Sequence, residues 1–286
     1  MKKRLNPLND YLFQKYLGEK GDEEQLMSFL NAVLRRTRKA RIVELEILEN
    51  KTLTADIIGD KASILDVRAV TDTGTKVNVE VQLRNVGNMD RRSLFYWSRE
   101  YAKGIEAGQD YIELPNVIAI NIVDFEFIPI NDYHTSFHLW EDVHKDYMLT
   151  DALEIHFVDM VKFKKFADKD IKNNPLHRWL TFFDKDVPDD VLKEVLSMEA
   201  AILKANEKIE HVSKDRDAMR LYEMREMGMS DMTSAINSAV ARGRDGGLKE
   251  IAKNALRKGY DIAEIADITG LDESAIRELQ TEMFDD

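Results

Sequence analysis

Not one of the 286 residues is a cysteine. Disulfides and thiolate metal sites are therefore excluded, and a reducing, cytoplasmic setting is expected. No apolar run approaches the roughly 20 residues needed to span a bilayer, so no membrane association is expected. A secretory segment is not expected either. Met1-Lys2-Lys3-Arg4 is basic, but Asn6, Pro7 and Asp10 interrupt the apolar stretch that a leader would need after it. Excess positive charge is also missing. The formal net charge is −12, which argues against nonspecific binding to polyanions. The charge is unevenly spread. Residues 1–100 hold 18 Lys+Arg against 15 Asp+Glu, and the remainder holds 23 against 38. The half able to face a nucleic acid is therefore the front half.

Hydrophobic residues make up 44% of the chain, enough for a real core. The most informative stretch is residues 64–83, ILDVRAVTDTGTKVNVEVQL. Leu65, Val67 and Ala69 alternate with Ile64, Asp66 and Arg68. Val77, Val79, Val81 and Leu83 alternate with Asn78, Glu80 and Gln82. Alternation on both sides of a glycine-containing turn predicts a β-hairpin. A two-residue loop at Thr73-Gly74 would pair Asp66 with Val81 and put the faces out of phase. A three-residue loop, Asp72-Thr73-Gly74, puts glycine at the left-handed position and sets Asp66 opposite Glu80. Directly opposed carboxylates repel, so they call for a shared proton or a cation with oxygen ligands. A solvated acidic sheet face accounts for the same pattern.

The order Asp66, turn, Glu80-Val81-Gln82 is similar to the active-site hairpin of PD-(D/E)XK nucleases. It most resembles the Rpn family, the recombination-promoting or transposase-associated nucleases. Further blocks carry the resemblance: residues 8–13 (LNDYLF), 92–97 (RSLFYW), 153–157 (LEIHF) with Lys162-Phe163, and 265–271 (IADITGL). The resemblance implies an α/β, restriction-endonuclease-like core, a mixed central sheet flanked by helices, followed by an all-helical C-terminal region. It implies a metal-dependent DNA endonuclease, linked to recombination or transposition. Asp66 and Glu80 would hold Mg²⁺, with Mn²⁺ or another divalent cation as a substitute, and the Val81 carbonyl would be an extra ligand. Gln82 stands where the wider superfamily has lysine; its amide can orient water but carries no charge. Asp10 matches the family's opening acid and is an accessory candidate. The alternatives are a catalytically silent nuclease fold that binds DNA or a protein partner, and an interaction protein working through its acidic tail.

Elsewhere the pattern predicts helices over 9–17, 23–34 (with Asp22 as N-cap) and 90–107, and strands over 42–48, 116–123, 134–140 and 153–158, with an extended piece at 49–59. Arg92, Tyr96 and Arg99 share one helical face and are candidates to meet DNA, or to pack on the sheet. Arg35, Arg36 and Arg38 lie in a run of five cations, able to contact phosphates or to offset a helix dipole. His134, His138 and His156 have no standard zinc spacing and read as strand residues. Three regions are expected: a catalytic domain at 1–186, a charged helical linker at 187–247 with a hinge at 242–247, and a helix-turn-helix-like module at 248–286. That module's second helix is acidic, which favours protein packing and a homo-oligomer through the C-terminal helices over DNA reading.

Overall fold

A computed structural model describes residues 4–48 and 67–285. The chain forms two compact units, Met1–Arg225 and Glu226–Asp286.

The larger unit is built on one mixed six-stranded sheet. Its strands are β1 (Leu45–Ile47), β2 (Val67–Thr71), β3 (Lys76–Gln82), β4 (Val117–Val123), β5 (His134–Trp140) and β6 (Met148–Asp159). They lie in the order β1-β2-β3-β4-β6-β5. The pairs β3–β4 and β4–β6 are parallel, and the remaining pairs are antiparallel. All seven residues of β4 are buried, as its unbroken apolar sequence requires of a strand covered on both faces.

One face carries Val77, Val79, Val81, Ile118, Ile120 and Ile122 into the main core. Over it pack α1 (Asp10–Leu17), α2 (Glu23–Leu34), α4 (Met160–Lys165), α5 (Pro175–Phe183), α6 (Asp189–Met198) and α7 (Ala200–Val212). Phe13, Phe29, Trp179 and Phe183 interlock there, two pairs edge to face and two tilted, at centroid separations of 5.4–5.8 Å. The other face carries α3 (Met89–Ala102) over Ala119, Val123, Leu153, Ile155 and Phe157.

The hairpin has the predicted loop. Val67 pairs with Val79 and Val70 with Lys76. Gly74 sits at φ +77°, and its N–H donates to the Thr71 carbonyl at 2.9 Å. Ile64, Leu65, Asp66 and the expected extended piece at 49–59 lie outside the described residues.

Helix ends bring corrections. Asp22 holds the N-cap position of α2 as expected, but its side chain makes no cap hydrogen bond among the described residues. Its buried carboxylate instead accepts from the Glu19 N–H and Gln25 Nε2 and pairs with Lys208. The expected linker from 187 is broken at Glu199, where an extended backbone separates α6 from α7. Both helices contribute to the core of the larger unit: Val195, Ile202, Ala205 and Ile209 are buried with α1 and α2. The expected hinge at 242–247 is helical, inside α8 (Arg216–Arg257). In the smaller unit, α9 (Ile262–Thr269) is followed by Gly270 at φ +69° and by α10 (Glu273–Asp285). Ala252, Ile265, Ile276 and Leu279 form its core.

Candidate active site

Glu80 lies on the α3 side of β3, and α3 is held there by a ladder of polar contacts. Trp97 Nε1 donates to the Val117 carbonyl at 2.9 Å, and Asn121 Nδ2 donates to Ser93 Oγ at 2.8 Å. Arg68 pairs with Glu100 at 2.7 Å. These contacts fix the helix over the polar side chains of β2 and β3, so Glu80 is only 2% exposed. A solvated acidic face is thereby excluded for Glu80.

The two Glu80 oxygens have different surroundings. Oε1 accepts from the Arg92 guanidinium, from Nε at 2.8 Å and from Nη2. Oε2 is buried and has no hydrogen-bond partner among the described residues. Asn78 Oδ1 and Glu100 Oε1 are buried in the same condition. Such atoms normally cost about 1–3 kcal/mol each unless something satisfies them. Burial pushes the Glu80 carboxyl above its usual range, and the charge and hydrogen bonds of Arg92 offset part of that shift. Arg92 in turn lies over the Tyr96 ring, 5.3 Å from its centroid.

The structure thus joins Glu80, Arg92 and Tyr96. Val81 is buried on the main-core face. Gln82, half-buried, donates from Nε2 to the Arg84 carbonyl at 3.1 Å. Arg99 follows on α3 and is half-buried. Asp66 lies outside the described residues. An oxygen-ligated divalent cation fits this place on one observation: the unpartnered Oε2 of a buried carboxylate. No cluster of three or more metal-ligating side chains occurs among the described residues.

The other candidates make their contacts with residues other than Glu80. Asp10 pairs with Arg225 at 3.7 Å. Arg35 donates to the Asn173 carbonyl, Arg36 to the His134 carbonyl, and Arg38 Nε to Glu154 Oε2 at 2.7 Å. Glu154 stands in register with Ile118 and Val77, so its side chain falls on the face opposite Glu80.

That opposite face holds a polar chain the sequence did not disclose. His134 Nε2 lies 2.9 Å from His156 Nδ1, and His156 Nε2 lies 2.8 Å from Glu154 Oε1. With Glu154 as an anion, each histidine donates from Nε2 toward it. The ring nitrogens point at one another, so they bond together and do not converge on a metal. Burial drives His134 down to about 3, with His156 and Arg36 adding to the effect. Burial pushes Glu154 up, but hydrogen bonds from His156, Thr37 and Arg38 outweigh it and hold the carboxyl at about 2. The alternation of Glu154 and His156 on one strand is the single trace of this arrangement in the sequence. His134 joins through β5–β6 pairing.

A family model described as PD-(D/E)XK nuclease family transposase matches residues 7–239. No curated protein and no solved structure gives a significant match. The matched region contains the whole six-stranded sheet, its covering helices and the buried Glu80. The chain belongs to the PD-(D/E)XK nuclease family transposases.

Proposed function

We propose that the chain is a metal-dependent DNA endonuclease linked to recombination or transposition. One observation carries the reading: a buried glutamate with one oxygen bound by arginine and the other without a partner among the described residues. The reading takes Asp66 to stand opposite Glu80, as the hairpin sequence predicts. Asp66, Glu80 and the Val81 carbonyl would hold Mg²⁺ or Mn²⁺. Such a cation, when bound, activates water and neutralises charge on a phosphodiester.

The chain's own groups do the rest. Gln82 turns its amide to orient the attacking water. Arg92 balances Glu80 before a cation arrives, and its planar guanidinium then suits a phosphate oxygen. Tyr96 keeps Arg92 in place, and Arg99 extends the cationic side of α3. Arg35, Arg36 and Arg38 are engaged on the far face, so in this reading they play no part at the scissile bond. Asp10 is tied to Arg225 and has no assigned step.

The test is nicking of supercoiled plasmid with Mg²⁺ or Mn²⁺. Wild type should cleave, and Asp66→Asn and Glu80→Gln should not. Equal cleavage by all three would trace the activity to a contaminant and end the reading. A second reading, a silent nuclease fold that binds DNA or a protein, is favoured by the Arg92–Glu80 pair, because it balances the carboxylate without a cation. A wild type that retards labelled DNA, yet never nicks it, would establish that alternative.

A further inference from the structure

We infer that β5 is a self-pairing edge, along which two copies of this chain join antiparallel about a two-fold axis. The inference does not depend on the nuclease reading.

Among the described residues β5 is the last strand of the sheet, with β6 on one side only. The Asp159 N–H donates to the Tyr133 carbonyl, and the Glu141 N–H to the Tyr147 carbonyl. Odd-numbered residues of β5 therefore direct their backbone groups toward β6, and even-numbered ones direct theirs outward. Arg36 takes the outward carbonyl of His134. The outward backbone groups of Ser136, His138 and Trp140 have no partner among the described residues. The irregularity between β5 and β6 places its extra residues on β6, so β5 itself runs on as an extended strand.

Edge strands are usually blunted by lysine, proline or a bulge. This one, HTSFHLW, has no lysine, proline, glycine or acid. Phe137, Leu139 and Trp140 are 40–47% exposed, and the adjoining Tyr147 and Leu149 are 60% and 68% exposed. A patch of that kind calls for a cover.

The strand is complementary to itself. Centred on His138, antiparallel pairing sets Ser136 against Trp140 of the second copy. Each open residue then meets an open one, and the occupied His134 carbonyl is left out. Charge favours the same orientation. Arg35 and Arg36, the latter also paired with Asp132 at 3.7 Å, stand at the His134 end, and Glu141 and Asp142 follow Trp140 at the other. Antiparallel pairing brings the cationic end of one copy to the acidic end of the next.

Sedimentation of the full chain tests this. Wild type should run at twice 33.0 kDa. Ser136→Pro should run as a monomer with its circular dichroism unchanged, since its N–H serves no ladder bond. Leu139→Lys, which leaves the backbone intact, should do the same. The cysteine-free chain permits a direct readout. In the His138-centred register the two Leu139 side chains are diagonal neighbours, about 7–8 Å apart. Leu139→Cys should therefore join two copies through a short thiol cross-linker, whereas the exposed Ile112→Cys should not. A monomeric wild type, variants that remain dimers, or equal cross-linking at 139 and 112 would each overturn the inference. Variants that remain dimers would point to another interface, such as the C-terminal helices.

Discussion

At Glu80, two opposing electrostatic effects meet. Burial disfavours its charge, and the Arg92 guanidinium supports it. Arg92→Met should remove that support and cost about 2–4 kcal/mol in urea unfolding, since Glu80 is left buried and unbalanced while Arg92 itself keeps some solvent contact. The double variant Glu80→Gln/Arg92→Met should recover much of the loss. With Arg92 gone, the Glu80 carboxyl shifts higher still. Any calcium binding measured by calorimetry should then fail at a higher pH than in wild type. His134 supplies a separate acid sensitivity. Its folded value of about 3 lies below the ordinary 6.5 of the unfolded chain, so the unfolded state binds more protons between the two. Stability should fall as pH drops below about 6.5, by up to about 1.4 kcal/mol per pH unit for one proton. His134→Gln should flatten that slope in urea midpoints between pH 6.5 and 4.5. Some slope should remain, because His138 and His177 are also lowered by burial. Below pH 4.5 the depressed Glu154 acts in the same direction, its contribution disappearing as pH falls toward about 2.

The elements differ in how openly their sequence announces them. β5 occupies the residues expected of it, and α5 begins at an Asn174 cap followed by Pro175, which is a local signal. The hairpin loop was equally local: only one loop length keeps both faces in phase. Helix α8 was not readable in this way. Arg242-Gly243-Arg244-Asp245-Gly246-Gly247 has the composition of a hinge, yet the helix continues through it. A Cβ added at Gly243, Gly246 or Gly247 would meet nothing within 4 Å among the described residues beyond the helix's own backbone. Gly246→Ala should therefore stabilise the helix by roughly 0.5–1 kcal/mol, seen as a higher melting temperature of the smaller unit. Gly104 is the opposite case. A Cβ there would lie 2.4 Å from Pro115 Cδ and 2.9 Å from the Tyr101 carbonyl oxygen. Gly104→Ala should destabilise the larger unit by about 1–3 kcal/mol, measured by denaturant midpoint.

On the scale of the molecule, the core extends past the expected boundary at 186. Ile202, Ala205, Ile209 and Val212 of α7 are buried against α1 and α2, and Tyr222 Oη accepts the Asn6 N–H at 3.0 Å. A chain ending at residue 186 should fail to fold cooperatively. One ending at residue 225 should keep a sharp thermal transition. Residues 191–219 read as a linker because 11 of the 29 are charged, although 14 are apolar. One buried side chain per turn is enough when a neighbouring helix supplies the other half of the contact.

The sequence by itself determined the hairpin register, the doubly buried β4, the polar face of β3 and the family, since each depends on patterns within a few residues or on ordered motifs. Tertiary structure alone decided that Glu80 is shielded from water and tied to Arg92, that Arg38 serves Glu154 on the far face, and that two histidines from different strands share a hydrogen bond. Those outcomes depend on which elements become neighbours. Burial and charge pairing are properties of neighbours in space, and residue spacing along the chain does not encode them.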